Sequence, residues 1–344
     1  VSQESFERMK FNVVIPTKNR KKHLEKILNN LNQQAEDLGD FLQANNIELN
    51  IIVNDNNSGE YYCESMTKVT FFSRSYDVGG NHNWILSIAD FQCDFVWTLG
   101  DNMPVAADAL QKVLAHTLRN KNADCIIFDP RNKSRDEKTI CYASCLDFLN
   151  DADHLGPLVH ISSMVISHSA FIENISDIIL YQNTCFPQFI YQIFCLNKGT
   201  HCLIYENLFN TEDGVRKNLR DVYAVSALVC HSFDTMELFL TCPEVKAYKR
   251  LVRNTRRTWL TPQGVIYELC KVGQSNSFLD WQWYRLVSRA TSIPYTGFFR
   301  GLFWRCAGSM ILGSVFLRNI YITLYEVRRG FAVDFRSGLR RWSV

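Results

Sequence analysis

The chain has 344 residues and a mass of 39.9 kDa, long for a single core and short for three, so one catalytic-sized domain with an appendage is expected. Hydrophobic residues make up 47% and charged residues 21%, which excludes a small disulfide-stapled module, a collagen-like tract and a largely disordered chain. The net charge of +2 predicts neither a nucleic-acid coat nor an acidic tail, so no nucleic-acid partner is expected and any basic surface must be local.

Residues 11–16, FNVVIP, read as a buried strand stopped by proline, with the loop TKNR at its carboxyl end. From Lys21 to Leu42 the apolar positions Leu24, Ile27, Leu28, Leu31, Leu38 and Leu42 recur mainly at three- and four-residue steps, predicting one helix. The run from Ile47 to Val53 is a second buried strand, closed by the turn cluster DNNSG. Strand, helix, strand in this order is a parallel unit with a right-handed crossover. VTFFSRS at 69–75 continues the pattern, then DVGGNHNWILSIADF as loop and helix, then FVWTLGDN at 95–102 as a strand ending in a turn. In open α/β sheets the ligand lies outside the carboxyl ends of the strands, so the loops at Thr17, Asp55, Asp77 and Asp101 are expected to line one crevice. A helix from Ala106 to Arg119 and a strand in ADCIIFDP follow, then a polar, irregular stretch over 130–165 and mixed helical segments to about 245. The fold class is α/β: a Rossmann-like, mostly parallel sheet flanked by helices, with a mainly helical C-terminal region.

That last region differs in character. Residues 300–344 carry eight arginines against Glu326 and Asp334, and five of the seven tryptophans lie beyond residue 258. Trp-rich basic segments favour membrane interfaces. Arg305 and Arg318 leave twelve uncharged residues between them, short of the roughly 20 a membrane-spanning helix needs. Two readings stand: an amphipathic element lying on an anionic membrane surface, or a basic solvated helical subdomain.

The twelve cysteines are scattered, mostly inside apolar runs such as CIIF and CLIY, with no CxxC pair, and read as buried free thiols. Cys141 and Cys145 are four apart and His154 and His160 follow, which matches no usual zinc spacing. The opening VSQESFERMK shows no apolar signal-peptide core, so a cytoplasmic protein is expected.

Asp101 in TLGDN sits at a strand end where the flanking Gly100 lets the backbone turn, and Asp55 in NDNNSG has the same position on the second strand; a turn-capping Asp is the bland alternative for both. DVGGNHN lacks the glycine spacing of a dinucleotide fingerprint, and no P-loop is present. Taken together, VVIPTKNR, IIVNDNNSG, the Asp/Gly/Asn loop before a helix, and WTLGDN resemble in order and spacing the nucleotide-sugar half of family 2 glycosyltransferases of the GT-A fold, over about residues 10–130. The likeness is to bacterial members that build O-antigen, lipooligosaccharide or capsule.

The domain division expected is a donor half over residues 1–130, which carries the resemblance, an acceptor half over 131–245, and a basic, Trp-rich helical C-terminal region over 246–344 for which membrane-surface docking is one of the two readings. Pro16, Thr17 and Asn19 would border the nucleotide, Arg20 would lie near the phosphates, Asp55 would bond the base edge, and Asn83 would sit on the helix closing over the nucleotide. Asp101, with Gly100 and Asn102 beside it, would hold Mg²⁺ or Mn²⁺ against the diphosphate, where a hard cation neutralises the charge developing on the leaving group. The family's acidic motif has two or three carboxylates, whereas this one has one. At the family's general-base position TCFPQFIYQIF offers Gln188 and no carboxylate, leaving Asp153, His154, His160 and Glu173 as base candidates.

The function expected is transfer of a sugar from a nucleotide-sugar donor to a glycan or lipid-linked glycan acceptor of the bacterial surface, metal-assisted and inverting, by a cytoplasmic enzyme peripheral to the inner face of the cell membrane. The alternative is a catalytically inactive scaffold or glycan-binding subunit. A sugar nucleotidyltransferase needs a glycine-rich phosphate loop after the first strand, and PTKNRKKH has no glycine.

Overall fold

The computed structural model describes residues 8–59, 66, 68–129, 139–143, 160–180, 187–188, 191–192, 200–209, 266, 270, 298–314 and 316–325. The chain divides into two compact units, Val1–Leu219 and Arg220–Val344. The first unit is built on an eight-stranded sheet. In chain order its elements are β1 Met9–Thr17, α1 Lys21–Asp37, α2 Gly39–Ala44, β2 Ile47–Asp55, β3 Val69–Ser73, α3 Gly80–Ala89, β4 Phe95–Thr98, α4 Ala109–Arg119, β5 Cys125–Phe128, β6 Ile140–Tyr142, β7 Met164–Ser167, α5 His168–Glu173, α6 Ile175–Leu180 and β8 His201–Ile204.

The strand order is β3-β2-β1-β4-β7-β5-β8-β6. The first four strands are mutually parallel, as the strand–helix–strand pattern predicts; β7 enters antiparallel between β4 and β5, β8 runs parallel to β5, and β6 closes the edge antiparallel to β8. One face of the sheet presents Phe11, Val13, Ile15, Ile51, Val53, Trp97, Ile126 and Phe128 to Leu24, Ile27, Leu28 and Leu31 of α1 and Leu110, Val113 and Leu114 of α4. The alternate residues Val14, Ile52 and Val96 are buried too. Strands covered on both faces read as continuous apolar runs, which is why VVIP and IIV were legible without alternation.

Two expectations are corrected. The single helix from Lys21 to Leu42 is two helices that break at Leu38, ahead of Gly39, the weakest helix former in the stretch. Buried Gln34 near that break bridges to α4: its Nε2 donates to the Ala106 carbonyl at 2.9 Å and its Oε1 accepts from the Leu110 amide at 2.8 Å, capping a helix whose own Asp108 makes no side-chain cap. The stretch expected to be irregular or helical holds three strands, β6, β7 and β8. MVIS and HCLI are four-residue apolar runs, and periodicity cannot distinguish so short a run from buried helix.

In the second unit the described helices are α7, Phe298–Gly313, and Phe316–Tyr325. Leu312, Ile322 and Arg318 are buried, while Leu302, Phe303, Met310, Phe316, Ile320 and Leu324 are exposed. Among the described residues no single helix is long and apolar enough to cross a membrane.

Candidate active site

The parallel register ends β1 and β2 together, Thr17 opposite Asp55, and places Thr98 of β4 opposite Val14. Four loops therefore leave the same edge of the sheet. After β1 the chain turns through Asn19, held at φ 55°, a left-handed conformation that asparagine tolerates better than most residues. The Asn19 amide donates to Ser58 Oγ at 2.7 Å, which ties this loop to the one after β2. Arg20, just before α1, points across the edge, and its Nη1 donates to Asp101 Oδ1 at 2.8 Å. Thr17 Oγ1 donates to Asp101 Oδ2 at 2.9 Å. The Asp101 side chain is 9% exposed, with one neutral and one charged donor on its two oxygens. Burying a carboxylate is costly unless it is paired and hydrogen-bonded in this way.

Asp101 is also fixed through its backbone. The Gly100 amide donates to Ser162 Oγ at 2.8 Å, and a Cβ at position 100 would come 3.3 Å from that oxygen, so a side chain there must displace the serine. Ser162 belongs to a 3-10 turn, Ile161–Ser163, which leads into β7 and is pinned by the Trp97 indole donating to the Ser162 carbonyl at 2.9 Å and by Thr98 Oγ1 donating to the Ile161 carbonyl at 2.6 Å. His160 starts this turn, with its Nδ1 3.3 Å from Ser163 Oγ and its ring centroid 5.8 Å from that of Phe209. Burial pushes the His160 imidazole down to about 4, so the ring is uncharged at neutral pH.

Asp55 caps the turn after β2: it accepts from the Ser58 amide at 2.9 Å, from the Ser58 hydroxyl and from Ser73 Oγ at 3.1 Å, at 2% exposure. Asp77 accepts from Lys18, from Asn56 Nδ2 and from the Gly79 amide, and the Lys18 contact is the main cause holding its carboxyl below the usual range. Asn83 lies beneath this rim: its Oδ1 accepts from Asn54 Nδ2 at 3.1 Å and Arg74 Nε at 3.0 Å, and its Nδ2 donates to the Asn54 carbonyl at 3.1 Å. Its amide holds β2 to α3. Pro16 pairs with Asn54 in the register, and Asn102 follows Asp101 in the turn, half-buried.

The base candidates separate. His160 reaches the Asp101 side of the sheet. Glu173 does not: β7 runs antiparallel to β4 with Ser167 opposite Phe95, so α5 leaves from the end of β4 remote from Asp101, and the His168 amide bonds the Asp94 carbonyl there at 3.0 Å. Asp153 and His154 lie outside the described residues, and Gln188 is buried. The topology adds a carboxylate that sequence reasoning passed over. Asp129 follows β5, which runs in the same sense as β4, and so comes to the same edge at 1% exposure. CIIFDP carries the apolar-strand-then-Asp signal that marked Asp55 and Asp101. A cleft of about 680 Å³ between α1, α2 and β2 lies instead at the amino ends of the strands, around Glu36, Asn46 and Lys68, away from these groups.

Among the described residues no group of three or more His, Cys, Asp or Glu could hold a metal. Asp101 accepts one hydrogen bond on each carboxylate oxygen, from Thr17 and from Arg20, which leaves a second lone pair on each oxygen.

No family model matches the sequence. A curated relative, abequosyltransferase RfbV of Salmonella typhimurium, is 25% identical over 130 residues, which is 36% of this chain and 36% of the relative, so the match spans about a third of that enzyme's length. The crystal structure of S. aureus TarS residues 1–349 superposes with a TM-score of 0.51 over 94% of this chain and 92% of that one, at 12% identity, and the same TarS segment in complex with UDP-GlcNAc gives 0.51 as well. The α/β fold with helices flanking a mostly parallel sheet is thus shared with the TarS segment, and the resemblance read from the sequence is borne out.

Proposed function

We propose that this chain, which has a glycosyltransferase fold and resembles enzymes of bacterial surface glycans, transfers a sugar from a nucleotide donor to a glycan or lipid-linked glycan acceptor. The observation carrying this reading is the Thr17–Arg20–Asp101 cluster, drawn from two strands to the carboxyl-end edge where ligands of open α/β sheets bind. Arg20 has guanidinium donors beyond the one given to Asp101 and supplies them to the diphosphate. Asp101 would hold Mg²⁺ or Mn²⁺, which when bound offsets the charge developing on the departing diphosphate. Asp55, its turn opened, bonds the base edge, with Pro16, Thr17, Asn19, Gly100 and Asn102 around the nucleotide. In an inverting displacement a base within hydrogen-bond reach takes the acceptor proton, and neutral His160 and the Asp129 carboxylate stand on the correct edge for that role.

The test is a panel of nucleoside diphosphates and nucleotide sugars in a thermal-shift assay, with and without Mn²⁺. A ligand at 100 times its dissociation constant adds about 2.7 kcal/mol, an expected Tm rise of roughly 5 °C or more. One base class should give this rise, larger with Mn²⁺; a flat response to every nucleotide rejects the reading. The single carboxylate of the acidic motif favours a second reading, an inactive glycan-binding or scaffold subunit. Such a subunit binds nucleotide yet neither transfers nor hydrolyses the donor, so donor turnover separates the two.

We further propose that the enzyme works peripherally at the inner face of the membrane. The exposed Leu302, Phe303, Met310, Phe316, Ile320 and Leu324 and the arginines of residues 300–344 other than buried Arg318 support this, because apolar side chains seat in the interface and each Arg near an anionic surface contributes about 1 kcal/mol. Co-sedimentation with phosphatidylglycerol-containing vesicles, reduced at least tenfold by high salt, is the expected result. Equal recovery with neutral vesicles or none at all would sink it.

A further inference from the structure

Two of the scattered cysteines are brought together at the sheet edge remote from the crevice loops of β1–β3. In the antiparallel pairing of β6 with β8, Cys141 stands directly opposite Cys202, and their Sγ atoms are 2.7 Å apart although the residues are 61 apart in sequence. Opposed residues on antiparallel strands have Cα atoms about 4.5–5.5 Å apart, inside the range of about 4.4–6.8 Å that a disulfide spans, so the bond needs no backbone movement. The two thiols differ in access: Cys141 is exposed and Cys202 buried. Asn120 Oδ1 lies 3.5 Å from Cys202 Sγ and 3.8 Å from Cys141 Sγ, an acceptor for either S–H. Burial, then the neighbouring Cys141, pushes the Cys202 thiol well up.

We propose that Cys141 and Cys202 form a thiol–disulfide exchange site that takes a small-molecule disulfide as its oxidant and closes into a cross-strand disulfide. Exposed Cys141 loses its proton and attacks one sulfur of the external disulfide; that S–S bond breaks and one thiolate leaves, taking up a proton. Cys202 then attacks Cys141 Sγ in the mixed disulfide, releasing the second thiol, which carries the proton Cys202 gives up. Two protein thiols are oxidised and one external disulfide is reduced to two thiols. The bond ties β6, a three-residue edge strand, to β8. It does not depend on the glycosyltransfer reading.

The experiment treats the native full-length chain with oxidised glutathione, quenches in acid, alkylates, and maps peptides by mass without reduction. The expected product is a Cys141–Cys202 peptide pair reversed by dithiothreitol, accompanied by a Tm rise of roughly 5 °C from closing so long a loop. Cys141→Ser abolishes both the pair and the Tm rise, whereas Cys202→Ser leaves glutathione on Cys141. In the wild type, a lasting glutathione adduct on Cys141, pairing of Cys141 with another cysteine such as Cys145, or full alkylation of both thiols overturns the proposal. The wild-type map decides this whether or not Cys202→Ser folds.

Discussion

Replacing Asp101 by alanine is expected to lower kcat/KM for sugar transfer by about a thousandfold, the scale on which a positioned charge at a developing oxyanion acts. The carboxylate is the group through which the first and fourth strands meet at the crevice: Thr17 and Arg20 come from the β1 side and Asp101 follows β4. On the proposed role, alanine removes the metal's protein ligand; it also releases the Arg20 guanidinium, which is a quarter exposed and can turn to solvent or to phosphate. The variant should therefore still bind a nucleoside diphosphate without metal but lose the extra stabilisation that Mn²⁺ confers on the wild type. Asp101→Asn keeps the shape and an acceptor for Thr17 while removing the charge, so it should fold like the wild type and transfer sugar as slowly as the alanine variant. Steady-state kinetics with paired thermal shifts check this. Activity within threefold of wild type in either variant would remove Asp101 from the reaction.

The second large effect is on the fold. Trp97→Ala should destabilise the protein by about 3–5 kcal/mol and lower Tm by roughly 10 °C. Trp97 is fully buried on β4 between β1 and β7, where it fills the core under α4, and its indole is the donor that pins the Ser162 carbonyl. Alanine leaves both a cavity and an unsatisfied carbonyl. Because Ser162 in turn accepts from the Gly100 amide, the loss reaches Asp101, and kcat should fall even well below the melting transition. Trp97→Phe keeps most of the volume and lacks the indole donor; it is expected to cost about 1–2 kcal/mol. Urea unfolding of the two variants separates volume from hydrogen bond, and a midpoint for Trp97→Ala equal to the wild type's would show that this indole does not anchor the two halves of the sheet.

The first half of the sheet was legible in the sequence because its signals are local. FNVVIP, IELNIIV and FVWT are apolar runs closed by turn residues, and the helix that follows β1 repeats its leucines at helical spacing. A run of parallel strands then puts Thr17, Asp55 and Asp101 on one edge without further information, since every strand points the same way. The four-residue strands β7 and β8 were not legible, because nothing in MVIS or HCLI separates a strand from buried helix before a neighbour offers its backbone to pair with.

What the tertiary structure alone decided follows from pairing between distant segments. The insertion of β7 antiparallel to β4 carries Glu173 away from the crevice and brings His160 and Ser162 towards it, although His160 and Glu173 were equal candidates in the sequence. The sense of β5 brings Asp129 to the same edge as Asp101. The hydrogen bonds that Asp55 accepts from Ser58 and Ser73 depend on where the turn after β2 and the end of β3 come to lie. Cys141 and Cys202 became neighbours only through the β6–β8 register. Local patterning sets which residues are strand, helix and turn, whereas direction and register are set by backbone hydrogen bonds between segments far apart in the chain, and no local pattern encodes those.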